Sequence, residues 1–280
     1  MTVISARRWT TGTTRLPTGL LTVVASTLIT ALPLTTLGIT AQSLVSTAAQ
    51  AQTPGAQEAP KELRALTPYD AVYKTSTSGL SIKLRRSLTM DANGDCKLTS
   101  EGKLLVAGIS EVSLFTLDGE NIQPRSYVYQ LSGPVSRRRE VHFDNDSQVI
   151  RSLYKKEWYE LPKTGDTLDR MSQQEQLRLS LLNDPTPKDD ILFHVADGRK
   201  VKEYRLLYAG EERLETPMGW VNTLHFERDH DDPDRQSGVW IAPEWDYLMV
   251  RTVHIEDGKT IEANLISAEI AGTAVAGANS

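Results

Sequence analysis

The chain has a single cysteine, Cys96, in 280 residues, which excludes an intramolecular disulfide and leaves stability to packing. Cys96 follows a turn signal and reads as a small, half-buried strand residue; intermolecular pairing is the redox role left open in an oxidising compartment. Catalytic signatures are missing as well. There is no HExxH pair, no GxSxG elbow and no defensible Cys–His pairing, and the five histidines, His142, His194, His225, His230 and His254, stand singly. Nothing marks two carboxylates as a catalytic pair, so the reading leans away from an enzyme while leaving open a site assembled from distant strands. An excess of basic charge is also lacking. The net charge of −5 argues against nucleic acid and against electrostatic binding to anionic headgroups, so a membrane lipid would have to be held through its acyl part.

No charged residue lies between Arg15 and Glu58. Arg7, Arg8 and Arg15 precede an apolar, Thr-rich run at 20–39 that ends in small residues at 46–52, the layout of a secretory signal. Ala49-Gln50-Ala51 puts small side chains at the first and third positions before a cut, so cleavage after Ala51 is expected. A retained anchor is the alternative, since the run could just cross a bilayer; Pro33 and the threonines weigh against it. No cysteine follows the run to carry a lipid, so no stable membrane insertion is expected after cleavage. Residues 1–51 hold three of the 31 basic side chains; without them 229 residues remain, with 28 basic and 36 acidic groups and a net charge of −8. That length suffices for one full hydrophobic core and demands no second.

Residues 52–66 are Ala, Gln, Pro and Glu without periodicity, a flexible linker, and 271–280 are small and polar and expected to be a disordered tail. A single β-rich domain is therefore placed at 67–270. Runs of Tyr, Val, Ile, Leu and Thr at 69–77, 80–90 and 96–106 predict strands, the last two joined by Asp91-Ala92-Asn93-Gly94-Asp95, which suits a hairpin turn. Further strands are predicted at 125–132, 135–144, 148–154, 156–161, 191–195, 200–208, 211–215, 220–228, 238–242, 247–256 and 260–269. Residues 166–183 break the pattern, open on the cap candidates Asp166-Thr167 and stop at Asp184-Pro185, which predicts one helix. On its wheel Leu168, Met171, Leu179 and Leu182 share an arc of roughly 80°, while Leu177 and Leu181 point the other way. A helix apolar on two sides is deeply buried. The expected fold is mainly β: a curled antiparallel sheet, an open half-barrel or barrel-like, packed around one α-helix.

Several local patterns carry no chemistry. Asp91, Asn93 and Asp95 imitate the start of a calcium loop, but the sixth and twelfth positions are Cys96 and Gly102, so the segment reads as a hairpin. The acidic cluster at 229–234 has no spacing that fixes a coordination shell and reads as a solvated loop tip. Gly258-Lys259-Thr260 lies between strands and lacks the earlier glycine of a phosphate loop. Arg137-Arg138-Arg139 alternates faces on a strand and reads as a solvated sheet edge. No metal and no cofactor is expected.

Glu175 stands out, because it falls inside the apolar arc of the helix. A carboxylate there is either paired with an arginine of the sheet, which favours a filled scaffold, or turned toward a pocket or solvent, which favours a carrier; the second is the expectation. Large amphipathic side chains able to line a ligand site are Trp158, Trp220 and Trp240, with Tyr204 and Tyr208 on one strand face, and plain core is the alternative for each.

Four stretches carry a family resemblance: Pro68-Tyr69-Asp70-Ala71-Val72-Tyr73 with Gly79-Leu80; Arg137-Arg138-Arg139-Glu140-Val141 with Phe143-Asp144; Leu168-Asp169-Arg170-Met171-Ser172 with Gln176-Leu177-Arg178; and Trp240-Ile241-Ala242-Pro243-Glu244 with Tyr247-Leu248 and Val250-Arg251. Over 67–269 the chain resembles a family of exported Gram-negative proteins, domain of unknown function 3108. The resemblance implies a periplasmic location and no established site residues. The last stretch is also similar to the Trp, hydrophobic, small, Pro, turn, hydrophobic, Arg pattern of periplasmic lipoprotein carriers, whose open half-barrels hold acyl chains. The expectation is a non-catalytic binding or accessory module for an apolar envelope ligand such as a lipid. The alternatives are a structural partner of another envelope protein, without a small ligand, and a hydrolase of an envelope polymer.

Overall fold

The structure, a computed structural model, describes residues 62–279 apart from 78, 79, 105, 145, 148, 188 and 189. The expected signal segment and most of the linker lie outside the described residues. The first half of the chain supplies β1 (Tyr69–Thr77), β2 (Leu80–Met90), β3 (Cys96–Leu104), β4 (Ala107–Asp118), β5 (Asn121–Ser132), β6 (Arg137–Phe143), β7 (Val149–Tyr154) and β8 (Glu157–Pro162). One helix, α1 (Ser172–Asn183), leads to β9 (Asp190–Asp197), β10 (Lys200–Thr216), β11 (Gly219–Asp229), β12 (Arg235–Ala242), a short 3-10 turn at Pro243–Trp245, β13 (Leu248–Glu256), β14 (Lys259–Ile270) and β15 (Thr273–Ala274).

Period-two alternation decides which face each strand buries. In β1, Tyr69, Ala71 and Tyr73 are buried while Asp70 and Lys74 face out. The strands form one antiparallel sheet in the order β8-β7-β6-β5-β4-β3-β2-β1-β14-β13-β12-β11-β10-β9, with β15 beside β14. Two meanders of hairpins are thus joined where β1 meets β14, from Tyr69 opposite Ile270 to Thr77 opposite Ile261. The sheet curls until its ends nearly meet. At this seam the Ser152 hydroxyl donates to the Gly198 carbonyl at 2.6 Å. The free edge of β9 is covered by Leu168, whose N–H donates to His194 O at 2.8 Å and whose carbonyl accepts from Ala196 N–H at 2.9 Å.

α1 is buried against the inner face of the sheet. Leu177, Leu179, Leu181 and Leu182 are all buried, as its two apolar sides predict. It begins at Ser172, later than the cap candidates Asp166-Thr167 suggest, because Asp169 does the capping instead, its Oδ1 accepting the N–H groups of Met171 (2.7 Å) and Ser172 (2.9 Å). Gln176 ties the helix to the β4–β5 turn, accepting Ile122 N–H at 2.7 Å and donating to Glu120 O at 2.8 Å.

Four features differ from the sequence reading. β4 has no counterpart among the predicted strands. The segments predicted at 200–208 and 211–215 are one strand, β10, whose register against β11 shifts between Tyr208 and Gly210. The segment before β1 packs, with Leu66 buried and Arg64 exchanging hydrogen bonds with the Asn183 side chain at 2.8 and 2.9 Å. The tail expected to fray forms β15, and Ala278 pairs with Trp220 through two backbone hydrogen bonds of 2.8 and 2.9 Å.

Candidate functional site

A cavity of about 280 Å³ lies between the first half of α1 and strands β10 to β13. Its apolar lining comes from Leu177, Leu206, Phe226, Val239, Ile241 and Met249. Polar groups gather at two places: a buried cluster around Glu175, and a half-exposed rim of Arg228, Ser237 and His254, with Thr252 one row further in beside Val239.

The buried cluster is built by β1, β2 and α1. Tyr69 donates its hydroxyl to Glu175 Oε1 at 2.7 Å and accepts from Arg86 Nε at 2.8 Å. Arg86 Nη2 lies 3.2 Å from Glu175 Oε1, and Arg178 Nη1 lies 3.5 Å from Oε2. Arg178 also donates to Asp246 O at 2.7 Å and Thr67 O at 3.1 Å, which binds the helix to the turn before β13 and to the segment before β1. Burial penalises the Arg86 cation, but the neighbouring Tyr69, Glu175 and Tyr73 outweigh that penalty and raise its pKa. Burial pushes the Tyr69 hydroxyl well above its ordinary pKa; Arg86 opposes the shift and Glu175 adds to it. Glu175 therefore combines the two expected alternatives, since its carboxylate is paired with two arginines and also lines a cavity.

Strand register builds the rim. Leu206, Arg228, Ser237 and His254 stand opposite one another across β10 to β13, so they share one face of the sheet. Ser237 Oγ lies 2.9 Å from His230 Nε2 and 2.8 Å from His254 Nδ1, and His254 Nε2 lies 3.6 Å from Glu256 Oε2. Burial, Arg228 and His254 lower the pKa of His230. Arg228 places its guanidinium carbon 3.2 Å from the Tyr204 ring centre. Tyr204 in turn donates to Asp197 at 3.3 Å, the carboxylate that Lys202 holds at 2.5 Å and Arg170 meets at 3.7 Å. Burial pushes Asp197 up, but Lys202 and Arg170 prevail and its pKa falls below the usual range.

Of the residues singled out in the sequence, Glu175 and Tyr204 line this cavity. Tyr208 packs on Phe226, with ring centres 5.5 Å apart, and is not among the lining residues. Trp240 faces the other side of the sheet, stacked on His225 at 4.0 Å and donating to Glu212 at 2.6 Å. Trp220 lies against the C-terminal segment and Arg213, and Trp158 is 48% exposed on β8 beside His142 and Arg151. Sequence reasoning passes over Arg228, Ser237 and His254. Alternation from Leu224 and Phe226 carries the signal for Arg228, since it puts the arginine on the buried face of β11.

No group of three or more His, Cys, Asp or Glu among the described residues is arranged to hold a metal. The acidic turn after β2 is a hairpin in which Asp91 Oδ1 accepts the N–H groups of Asn93 (2.8 Å) and Asp95 (2.9 Å). Among the described residues no helix is long and apolar enough to cross a membrane.

With this geometry in place, comparison with known proteins supplies the lineage. The family model described as "Protein of unknown function (DUF3108)" matches residues 80–265. The chain belongs to this family. Two solved structures are similar to the DUF3108 chain. A beta-barrel-like protein of domain of unknown function DUF1849 from Brucella abortus shares 10% identity, with 73% of this chain and 98% of that chain covered and a TM-score of 0.48. MucB in complex with MucA(peri) shares 9% identity, with 73% and 88% covered and a TM-score of 0.15. No curated protein matches the chain.

Proposed function

We propose that this DUF3108 chain is an exported, periplasmic, non-catalytic binding module that holds an apolar envelope ligand, such as the acyl part of a lipid, between α1 and strands β10 to β13. The observation that carries the reading is the cavity itself: about 280 Å³ of space with a largely apolar lining, near the lower end of ligand pockets, between the helix and the sheet. Exposed large apolar side chains support a protein-docking role less well, since Leu192 and Leu207, diagonal neighbours across β9 and β10, make only a two-residue group and Leu114, Trp158 and Ile261 stand on other strands. The test is purification from the periplasmic fraction followed by lipid extraction and mass spectrometry, with Val239→Trp as the variant that fills the cavity. A co-purifying acyl ligand, lost in the variant at unchanged secondary structure, is the expected result. Protein that carries no ligand and binds no added fatty acid would sink the reading. The mass of the intact protein from the same preparation tests cleavage after Ala51.

A hydrolytic reading has one observation in its favour, the contact of Ser237 with His254 at the rim, with Glu256 beyond the cavity on the far side of the imidazole, where a serine hydroxyl can pass its proton to the ring. The neighbouring backbone groups of β12 and β13 are engaged in sheet pairing, which leaves Arg228 as the donor nearest in register for an oxyanion. Turnover of a nitrophenyl decanoate ester that disappears in Ser237→Ala would support this reading, and absence of turnover by the unaltered protein excludes it for such esters.

A further inference from the structure

Four arginines line the cavity, Arg86, Arg170, Arg178 and Arg228, against one lining carboxylate, Glu175. Three of them have an acidic partner: Arg86 and Arg178 meet Glu175 at 3.2 and 3.5 Å, and Arg170 meets Asp197 at 3.7 Å. Arg228 differs. Among the described residues no carboxylate lies within salt-bridge distance of it, and its Nε is buried without a hydrogen-bond partner. Its guanidinium carbon lies 3.2 Å from the Tyr204 ring centre, so the group is held in place while its Nε–H has no acceptor. An unpaired, buried donor on a cation is costly unless something supplies an acceptor.

We propose that the rim of the cavity is an anion subsite, in which Arg228, with the Ser237 hydroxyl opposite it, takes the carboxylate or phosphate head of an amphiphile whose chain lies along the apolar lining. This rests on the binding role proposed above and adds the class of ligand. A guanidinium suits either head, because its planar fork offers two parallel donors to two oxygens. Ser237 stands directly opposite Arg228 in the pairing of β11 with β12, and its hydroxyl can turn from His254 to the anion. Leu206 lies opposite Arg228 on the other flank, and Phe226 and Val239 follow two residues inward, so chain and head meet at one place. The negative net charge of the whole molecule does not oppose this, since a half-buried cation acts locally and is weakly screened.

Calorimetric titration of the purified protein with decanoate, decyl phosphate, decanol and inorganic phosphate tests it. Decanoate or decyl phosphate should bind about ten- to a hundred-fold more tightly than decanol, the worth of a charge-assisted hydrogen bond, and the tighter of the two identifies the head. Arg228→Gln should bring the anionic ligands down to the affinity of decanol and leave decanol unchanged, with Arg228→Lys between. Arg251→Gln, on the opposite face of the sheet beside Trp240, should change none of them. Thermal unfolding of each variant separates loss of the subsite from loss of the fold. Equal binding of decanol and decanoate, an unaffected Arg228→Gln, or inorganic phosphate binding as tightly as the amphiphiles would overturn the subsite. Failure of all three chain-bearing ligands would instead overturn the binding role beneath it.

Discussion

A carboxylate can sit inside this sheet at Glu175 because each of its oxygens has a donor: Tyr69 and Arg86 on one, Arg178 on the other. Removing its charge leaves two buried guanidinium groups sharing none. Glu175→Gln should therefore lower stability by about 3–5 kcal/mol, measured by urea unfolding, because the cost lies in the stranded partners more than in the lost pair. The wheel singles out Glu175 as a charge among apolar positions, and that much is legible from local spacing. Its partners are not, since Arg86 comes from a strand 89 residues away and nothing in the sequence ties the two. Cys96 behaves more simply. Burial first, then Asp95 beside it, pushes its thiol up to about 11, and it is 2% exposed. Native protein at pH 8 should react with Ellman's reagent far more slowly than protein in urea.

The start of α1 shows how an element is fixed by groups that a motif search overlooks. Asp169 is fully buried and bonded to Ser113, Met171 and Ser172, yet burial still outweighs those bonds and holds its pKa above the usual range. A carboxyl raised in the folded state contributes stability that is full below its unfolded pKa and lost as pH rises through the folded value. Asp169→Asn keeps the acceptor for the helix N–H groups without the charge. The stability of Asp169→Asn relative to the unaltered protein should therefore improve between pH 4 and pH 7. Asp169→Ala, which removes the cap, should cost about 1–3 kcal/mol at both pH values, read from chemical unfolding. Other elements are legible in proportion to their local signals. The hairpin of β2 and β3 announces itself through Asn93-Gly94, whereas β4 does not, because its turn with β3 carries no such pair and Gly108, Ser110 and Ser113 dilute its alternation. In β10 a glycine at 210 looks like a break and is a bulge, where φ of 113° lets one strand continue past a shift in register.

At the scale of the molecule, the sequence implies a curled sheet around a buried helix, and the structure has one. What it does not contain in readable form is the closure, since the seam and the cavity depend on how far the whole sheet bends, which is set by many small twists and bulges. The C-terminal segment shows the limit of composition as a guide. Small, polar residues suggest fraying, but backbone groups need no large side chains to pair, and Gly277 fits against Trp220 where a Cβ would come within 2.5 Å of a carbonyl. Deleting residues 271–280 should lower stability by about 1–2 kcal/mol through the lost hydrogen bonds around Trp220, seen as a lower melting temperature with unchanged far-UV circular dichroism.

The junction of β1 with β14 has a kinetic consequence. Every other neighbouring pair on the main path of the sheet is consecutive in the chain and can zip as a hairpin soon after both strands exist, but Tyr69 meets Ile270 across roughly 200 residues. Closing that loop costs entropy before any contact offsets it, so the join forms late and limits the folding rate. Until then β1 and the meander behind it present an open edge to whatever strand comes first, including one from another copy of the chain. Folding yield should thus fall as protein concentration rises, and a covalent loop bringing Tyr69 and Ile270 together from the outset should quicken folding while leaving the finished barrel unchanged.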